Sequence, residues 1–137
     1  MALPNGAGGY QVGAGNRQET IMGAFAAPQT ATSTATLTAA QITGGMLVAN
    51  PSTSAATYTL PTAAQIDAAV PNATVGSTFD LNVVNIGTSS GTVTFSMGSG
   101  TGFTDGGNAV VAVAITSSAL FRFWKTGDGA WTVYKAA

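Results

Sequence analysis

The chain has 137 residues, 45% of them hydrophobic, which suits one domain with a packed core and argues against wholesale disorder. Only 7% are charged, and four Lys and Arg against five Asp and Glu leave a net charge of −1, too weak a field to steer the chain onto nucleic acid. The absence of His and Cys removes imidazole bases, thiolate nucleophiles, disulfides and the usual zinc ligands.

Residues 1–35 read as an extended N-terminal arm, and 36–137 as a β domain. Glycine recurs at Gly6, Gly8, Gly9, Gly13 and Gly15, and neither the strand period nor the helix period holds for long. Tyr10, Val12, Ile21, Met22 and Phe25 are apolar anchors that a pure linker would lack, so they are the candidate partner-binding residues of the arm. The alternative is a frayed terminus or linker. The opening Met1-Ala2-Leu3-Pro4-Asn5-Gly6 has neither the basic nor the apolar region of a secretion leader, so the expectation is synthesis in a cytosol.

From Thr36 the pattern is β. A strand is expected near Thr36–Thr38, another at Met46–Asn50 closed by Pro51, and a third at Thr57–Leu60 stopped by Pro61. One short helix is predicted over about 62–70, where Thr62 and Gln65 have capping-box spacing and Ile66 and Val70 share a face. Phe79, Leu81 and Val83 then alternate with Asp80 and Asn82, and Val93, Phe95 and Met97 alternate with Thr94 and Ser96. With Gly87–Gly91 as the turn, these two runs predict a hairpin. Gly98–Gly107 reads as a loop. Ala109–Ile115 is apolar throughout and reads as an interior strand; at seven residues it is far short of the ~20 of a membrane helix. Ala119–Thr126 and Ala130–Lys135 predict a last hairpin about Gly127-Asp128-Gly129. About eight strands in all suggest a jelly-roll-like antiparallel β-sandwich.

No catalytic grouping stands out. Asp80 and Asp105 are the acids near strands, and turns or solvated faces are the ordinary explanation of each. The loop at Gly98–Gly102 lacks the Lys-Ser/Thr of a phosphate-binding loop, and Asp105–Asn108 offers too few oxygens for calcium. No cofactor, metal, nucleic acid or membrane partner is therefore expected. In the final hairpin Phe121, Phe123, Trp131 and Val133 share one face, and Leu120, Arg122, Trp124 and Tyr134 share the other. The second set has the composition of a protein contact surface, unless the arm or a helix of the same chain covers it.

Three runs, TYTLPTAAQI (57–66), VGSTFDLNVVNIG (75–87) and FRFWKTGDGAWTVY (121–134), resemble a module common in tailed-phage structural proteins. Such proteins include capsid decoration (cement) proteins, head fibres and related virion appendages. The likeness covers roughly residues 55–135 and leaves the arm unmatched. It implies a jelly-roll-like β domain that is usually a trimer, contacts the major capsid protein and sits on the outside of the virion. The expectation is a homotrimeric cement protein. The alternative is a host-recognition domain of a head or tail fibre that binds surface glycan through Trp124 or Tyr134.

Overall fold

The computed structural model describes residues 25–137. Nine strands and two short helices follow in the order β1 Gln29–Ala31, β2 Ala35–Thr36, α1 Ala39–Thr43, β3 Met46–Ala49, β4 Ala56–Thr59, α2 Ala63–Ala69, β5 Thr78–Asn85, β6 Val93–Ser96, β7 Phe103–Gly107, β8 Ser117–Gly127 and β9 Ala130–Lys135. The strands form a six-stranded sheet, β1-β3-β5-β8-β9-β7, and a three-stranded sheet, β2-β4-β6.

The chain passes from the larger sheet to the smaller one three times, as β1–β2, β3–β4 and β5–β6. Each pass adds one parallel strand to each sheet, so Leu47 lies beside Gln29 and Val83, and Tyr58 beside Ala35 and Phe95. After the first two passes the chain returns through a helix, and α1 packs on α2. Both helices start from the same five residues, Thr-Ala-Ala-Gln-Ile, at 38–42 and at 62–66. In each the threonine hydroxyl accepts from the glutamine N–H, while the glutamine side chain accepts from the threonine N–H at 2.9 Å. This reciprocal cap satisfies two N–H groups that a first helical turn otherwise leaves unpaired. The isoleucine of each repeat, Ile42 and Ile66, is wholly buried.

The chain then turns back. β8 runs antiparallel to β5, β9 antiparallel to β8, and β7 joins the far edge parallel to β9. The core lies between the two sheets and the helices: Leu47, Leu81, Val83, Phe121, Phe123, Trp131 and Val133 come from the larger sheet, Tyr58 and Phe95 from the smaller. Phe95 meets Phe121 edge-on at 4.6 Å, and Phe79 stacks on Phe123 at 4.8 Å, both favourable ring geometries. The Tyr58 hydroxyl donates to the Thr32 carbonyl at 3.1 Å, and burial pushes its pKa above the ordinary phenol value.

The β-rich fold, the helix over 62–70 and the final hairpin agree with the sequence reading. The antiparallel sandwich does not. Among named strands, β1–β3, β3–β5, β2–β4, β4–β6 and β7–β9 pair in parallel. β1 and the first residue of β2, Ala35, fall within residues 1–35, expected in the arm, and Thr38 caps a second helix where a strand was expected. Gly87–Gly91 bridges the two sheets and is not a hairpin turn, because β5 and β6 belong to different sheets. The expected loop at Gly98–Gly107 contains β7. Ala109–Ile115 is not a strand: it touches the smaller sheet by one bridge, Val93 to Val113, and closes the end of the core with Ala109 and Val113 while Val110 and Val111 stay exposed.

Candidate interaction face

Strand alternation sends the odd residues of β5, β8 and β9 into the core and the even ones outward. Outward on β5 stand Asp80, Asn82 and Val84; on β8, Ser118, Leu120, Arg122 and Trp124; on β9, Thr132 and Tyr134. Register aligns them in rows across the sheet. Asp80 lies opposite Arg122 and Arg122 opposite Tyr134; Asn82 lies opposite Leu120; Trp124 sits between Thr78 and Thr132. The rows continue onto β3 and β1, where Met46 lies beside Asn82, and Val48 between Val84 and Thr30. The result is a broad outer face, apolar at Met46, Val48, Val84, Leu120, Trp124 and Tyr134 and otherwise neutral and polar.

The outward charges of β5, β8 and β9 are paired with each other. Arg122 donates through Nε and Nη2 to the two carboxylate oxygens of Asp80, at 2.8 and 2.9 Å. The guanidinium holds the Asp80 carboxyl below its ordinary pKa, and the carboxylate raises that of Arg122. The fork therefore leaves the face without net charge. Trp124 is 40% exposed, and the Tyr134 ring lies over Gly106 of β7, so close that a Cβ there would strike it. Glycine is what lets the ring lie flat across the edge strand.

The four residues expected on the second face of the last hairpin, Leu120, Arg122, Trp124 and Tyr134, are thus brought together. Among the described residues no element lies over them. Of the arm candidates, Phe25 is described and is 82% exposed, with its ring against Gly45. Tyr10, Val12, Ile21 and Met22 lie outside the described residues. Asp80 and Asp105 do not converge, because β8 and β9 separate their strands by three spacings, about 14 Å. Asp105 accepts instead from the N–H groups of Gly107 and Ala109 and shapes the turn after β7. No group of three His, Cys, Asp or Glu capable of holding a metal occurs among the described residues, and no described helix is long and apolar enough to cross a membrane.

Sequence reasoning missed one polar centre, at Asp67 on α2. Its carboxylate accepts from Lys125 Nζ at 2.5 Å, the Gly129 N–H at 2.6 Å and Trp131 Nε1 at 2.8 Å. Lys125 is 4% exposed and sits 5.4 Å from the centre of the Trp131 ring. The Lys125 ammonium, then the other two donors, hold the Asp67 carboxyl below its ordinary pKa, against the opposing effect of burial. This centre ties α2 to the β8–β9 turn and fixes the hairpin that carries the outer face. The signal was in the repeat: Asp67 follows the second Thr-Ala-Ala-Gln-Ile where Thr43 follows the first, and Thr43 only bonds back to the Ala39 carbonyl.

No family model, no curated protein and no solved structure matches the chain.

Proposed function

We propose that the chain is a structural virion protein that decorates and stabilises a phage capsid from outside as a homotrimer, through surface contacts and without chemistry of its own. The observation that supports this reading is the outer face. It spans the strands of the larger sheet and is apolar in patches, its ion pair is internally satisfied, and it carries Trp, Tyr and Arg, the residue types that dominate protein contacts. A partner covering it desolvates no unpaired charge. The reading uses two packed β layers, with no described element over the outer face of the larger sheet, and does not need the jelly-roll connectivity that the sequence likeness implies.

Stabilisation then follows from mass action. A protein that binds the assembled shell and not its free subunits stabilises the shell by RT ln(1 + [L]/Kd), about 2.7 kcal/mol at a hundredfold excess over Kd. The test is to add the purified protein to heads made without it. Saturable binding to heads, none to unassembled major capsid protein, and a higher temperature of head disruption are expected. Equal binding to free subunits, or heads no harder to disrupt, would sink the proposal.

A second reading, glycan recognition by a fibre domain, is favoured by Trp124, whose exposed ring stands between two threonines. Binding of host-surface glycans that is abolished by Trp124→Ala, with head binding unaffected, would select it.

A further inference from the structure

The chain contains two Asp-Gly pairs, Asp105-Gly106 and Asp128-Gly129. Such a pair carries its own electrophile and nucleophile. Once its proton passes to a solvent base, the glycine nitrogen attacks the aspartate side-chain carbon, and no glycine side chain hinders the approach. A C–N bond forms, the carboxyl hydroxyl leaves with a proton as water, and the product is a five-membered succinimide. Water then opens the ring at either carbonyl. One opening gives back aspartate; the other gives isoaspartate, in which the main chain runs through the former side chain.

In this fold each pair has one reacting partner occupied. At the first pair it is the electrophile. Asp105 Oδ1 accepts from the N–H groups of Gly107 and Ala109, at 2.9 and 3.1 Å, which fixes the carboxylate within the turn. At the second pair the aspartate is free: Asp128 is fully exposed at the tip of the β8–β9 hairpin, its carboxylate 3.9 Å from Lys125 Nζ. Gly129 stands at φ 63°, a left-handed conformation that suits glycine, so the turn keeps the residue most open to cyclisation. What is occupied here is the nucleophile. The Gly129 N–H donates to Asp67 Oδ2 at 2.6 Å, a charge-assisted bond from outside the hairpin. Deprotonating that nitrogen would set two negative charges side by side, and the nitrogen cannot turn towards Asp128 without leaving the oxygen. We propose that Asp128-Gly129 is a latent modification site that Asp67 keeps closed, and that release of the Asp67–Gly129 bond opens it to succinimide and isoaspartate. Isoaspartate at 128 lengthens the main chain by a methylene at the tip and draws Gly129 off Asp67. The carboxylate that orders Lys125 and Trp131 then loses one of its donors, and the hairpin that carries the outer face loosens.

The test follows isoaspartate at residue 128, by methyltransferase labelling and peptide mapping, in the full-length protein kept at neutral pH. The folded chain should convert there at least about tenfold more slowly than the chain in urea, the factor that one charge-assisted hydrogen bond supplies. Two variants separate the acceptor from the stiffness of the hairpin. Lys125→Met disturbs the same centre but leaves the Asp67–Gly129 bond, and should convert as slowly as the parent. Lys125→Met with Asp67→Ala removes the acceptor without stranding the ammonium, and should convert at least about tenfold faster than Lys125→Met alone. Equal rates in the two variants overturn the proposal. So does a parent that converts as fast folded as unfolded. A further readout needs no variant: the Gly129 amide hydrogen should exchange at least about tenfold more slowly than an unstructured amide. Exchange at the unstructured rate shows that the bond is absent and overturns the proposal, and should the double variant fail to fold, the two measurements on the parent decide.

Discussion

Asp67 is where a single side chain matters most. Its three donors come from the β8–β9 hairpin, and the helix that carries it contributes no other ion pair to that hairpin among the described residues. Lys125 is buried and Asp67 partly so, and removing the charge of one partner leaves the desolvated one poorly compensated. Asp67→Asn keeps the shape but leaves the buried Lys125 ammonium only the solvent-exposed Asp128 carboxylate at 3.9 Å, and should lower unfolding stability by about 2 kcal/mol in urea titration. Truncating Lys125 to Met as well should recover part of that loss, because the stranded charge is then gone. A loss by the single variant under about 0.5 kcal/mol, the range of an ordinary surface change, would show the centre to be decorative. The pH dependence follows from the same geometry. The folded carboxyl titrates lower than the unfolded one, so its stabilisation is complete above the unfolded value, about 4, and is lost as pH falls through the folded value. Melting temperature should be level from pH 7 to 5 and fall below about 4. The fall should be shallower in Asp67→Asn, with Asp80, also lowered, supplying the remainder.

At the level of elements, the two Thr-Ala-Ala-Gln-Ile repeats make one cap do two jobs. Gln65 only caps α2, whereas Gln41 also donates through Nε2 to the Thr30 carbonyl at 2.7 Å. β1 is the outermost described strand of its sheet, and alternation along a parallel pair turns that carbonyl away from β3. An unpaired edge carbonyl is a template for another strand, so Gln41 blunts the edge. Gln41→Ala and Gln65→Ala should each lose about 1 kcal/mol of capping. The Gln41 variant alone should show concentration-dependent light scattering, and equal behaviour of the two would remove the edge role. These elements also mark how far the sequence could be read. Alternation identifies which residues of a strand face the core, and it did so for Phe79–Val83 and for the final hairpin. It carries no information about which strand lies alongside or in which direction, so a run followed by a glycine-rich turn reads as a hairpin even when the turn spans two sheets. The helix over 62–70 announced itself by its cap; its shorter copy at 38–42 carried the same cap, but five residues give no periodicity. Ala109–Ile115 misled because seven apolar residues in a row imitate a buried strand. Asn108 and Thr116 bracket the run in left-handed conformations (φ 60° and 51°), and the chain between them puts Ala109 and Val113 inward in place of every second residue.

For the molecule as a whole, the question is whether the outer face binds by its neutrality. Asp80 and Arg122 cancel there, so a copy or a capsid subunit meets apolar patches and satisfied polar groups. Changing Arg122 to Asp places two carboxylates opposite each other and leaves the face with a charge of −2, without touching the core, since both side chains stand in solvent. The backbone pairing of β5 and β8 is indifferent to which member of the pair bears which sign, so the exchanged variant, D80R with R122D, rebuilds the fork with its poles reversed and returns the face to neutrality. If charge balance governs assembly, sedimentation should show Arg122→Asp self-associating at least about tenfold more weakly, as like charges brought into a contact demand. The exchanged variant should return to within about threefold of the parent. Thermal unfolding of all three should stay close together, which separates a surface effect from damage to the fold. An Arg122→Asp protein that assembles like the parent would mean that copies meet elsewhere, and would move the search to the exposed Val110, Val111 and Ile86 at the end of the core. A single variant rescued by salt, with the exchanged variant already normal, would instead identify the face as the surface on which this protein recognises its own copies, since only there does screening restore what the lost fork removed.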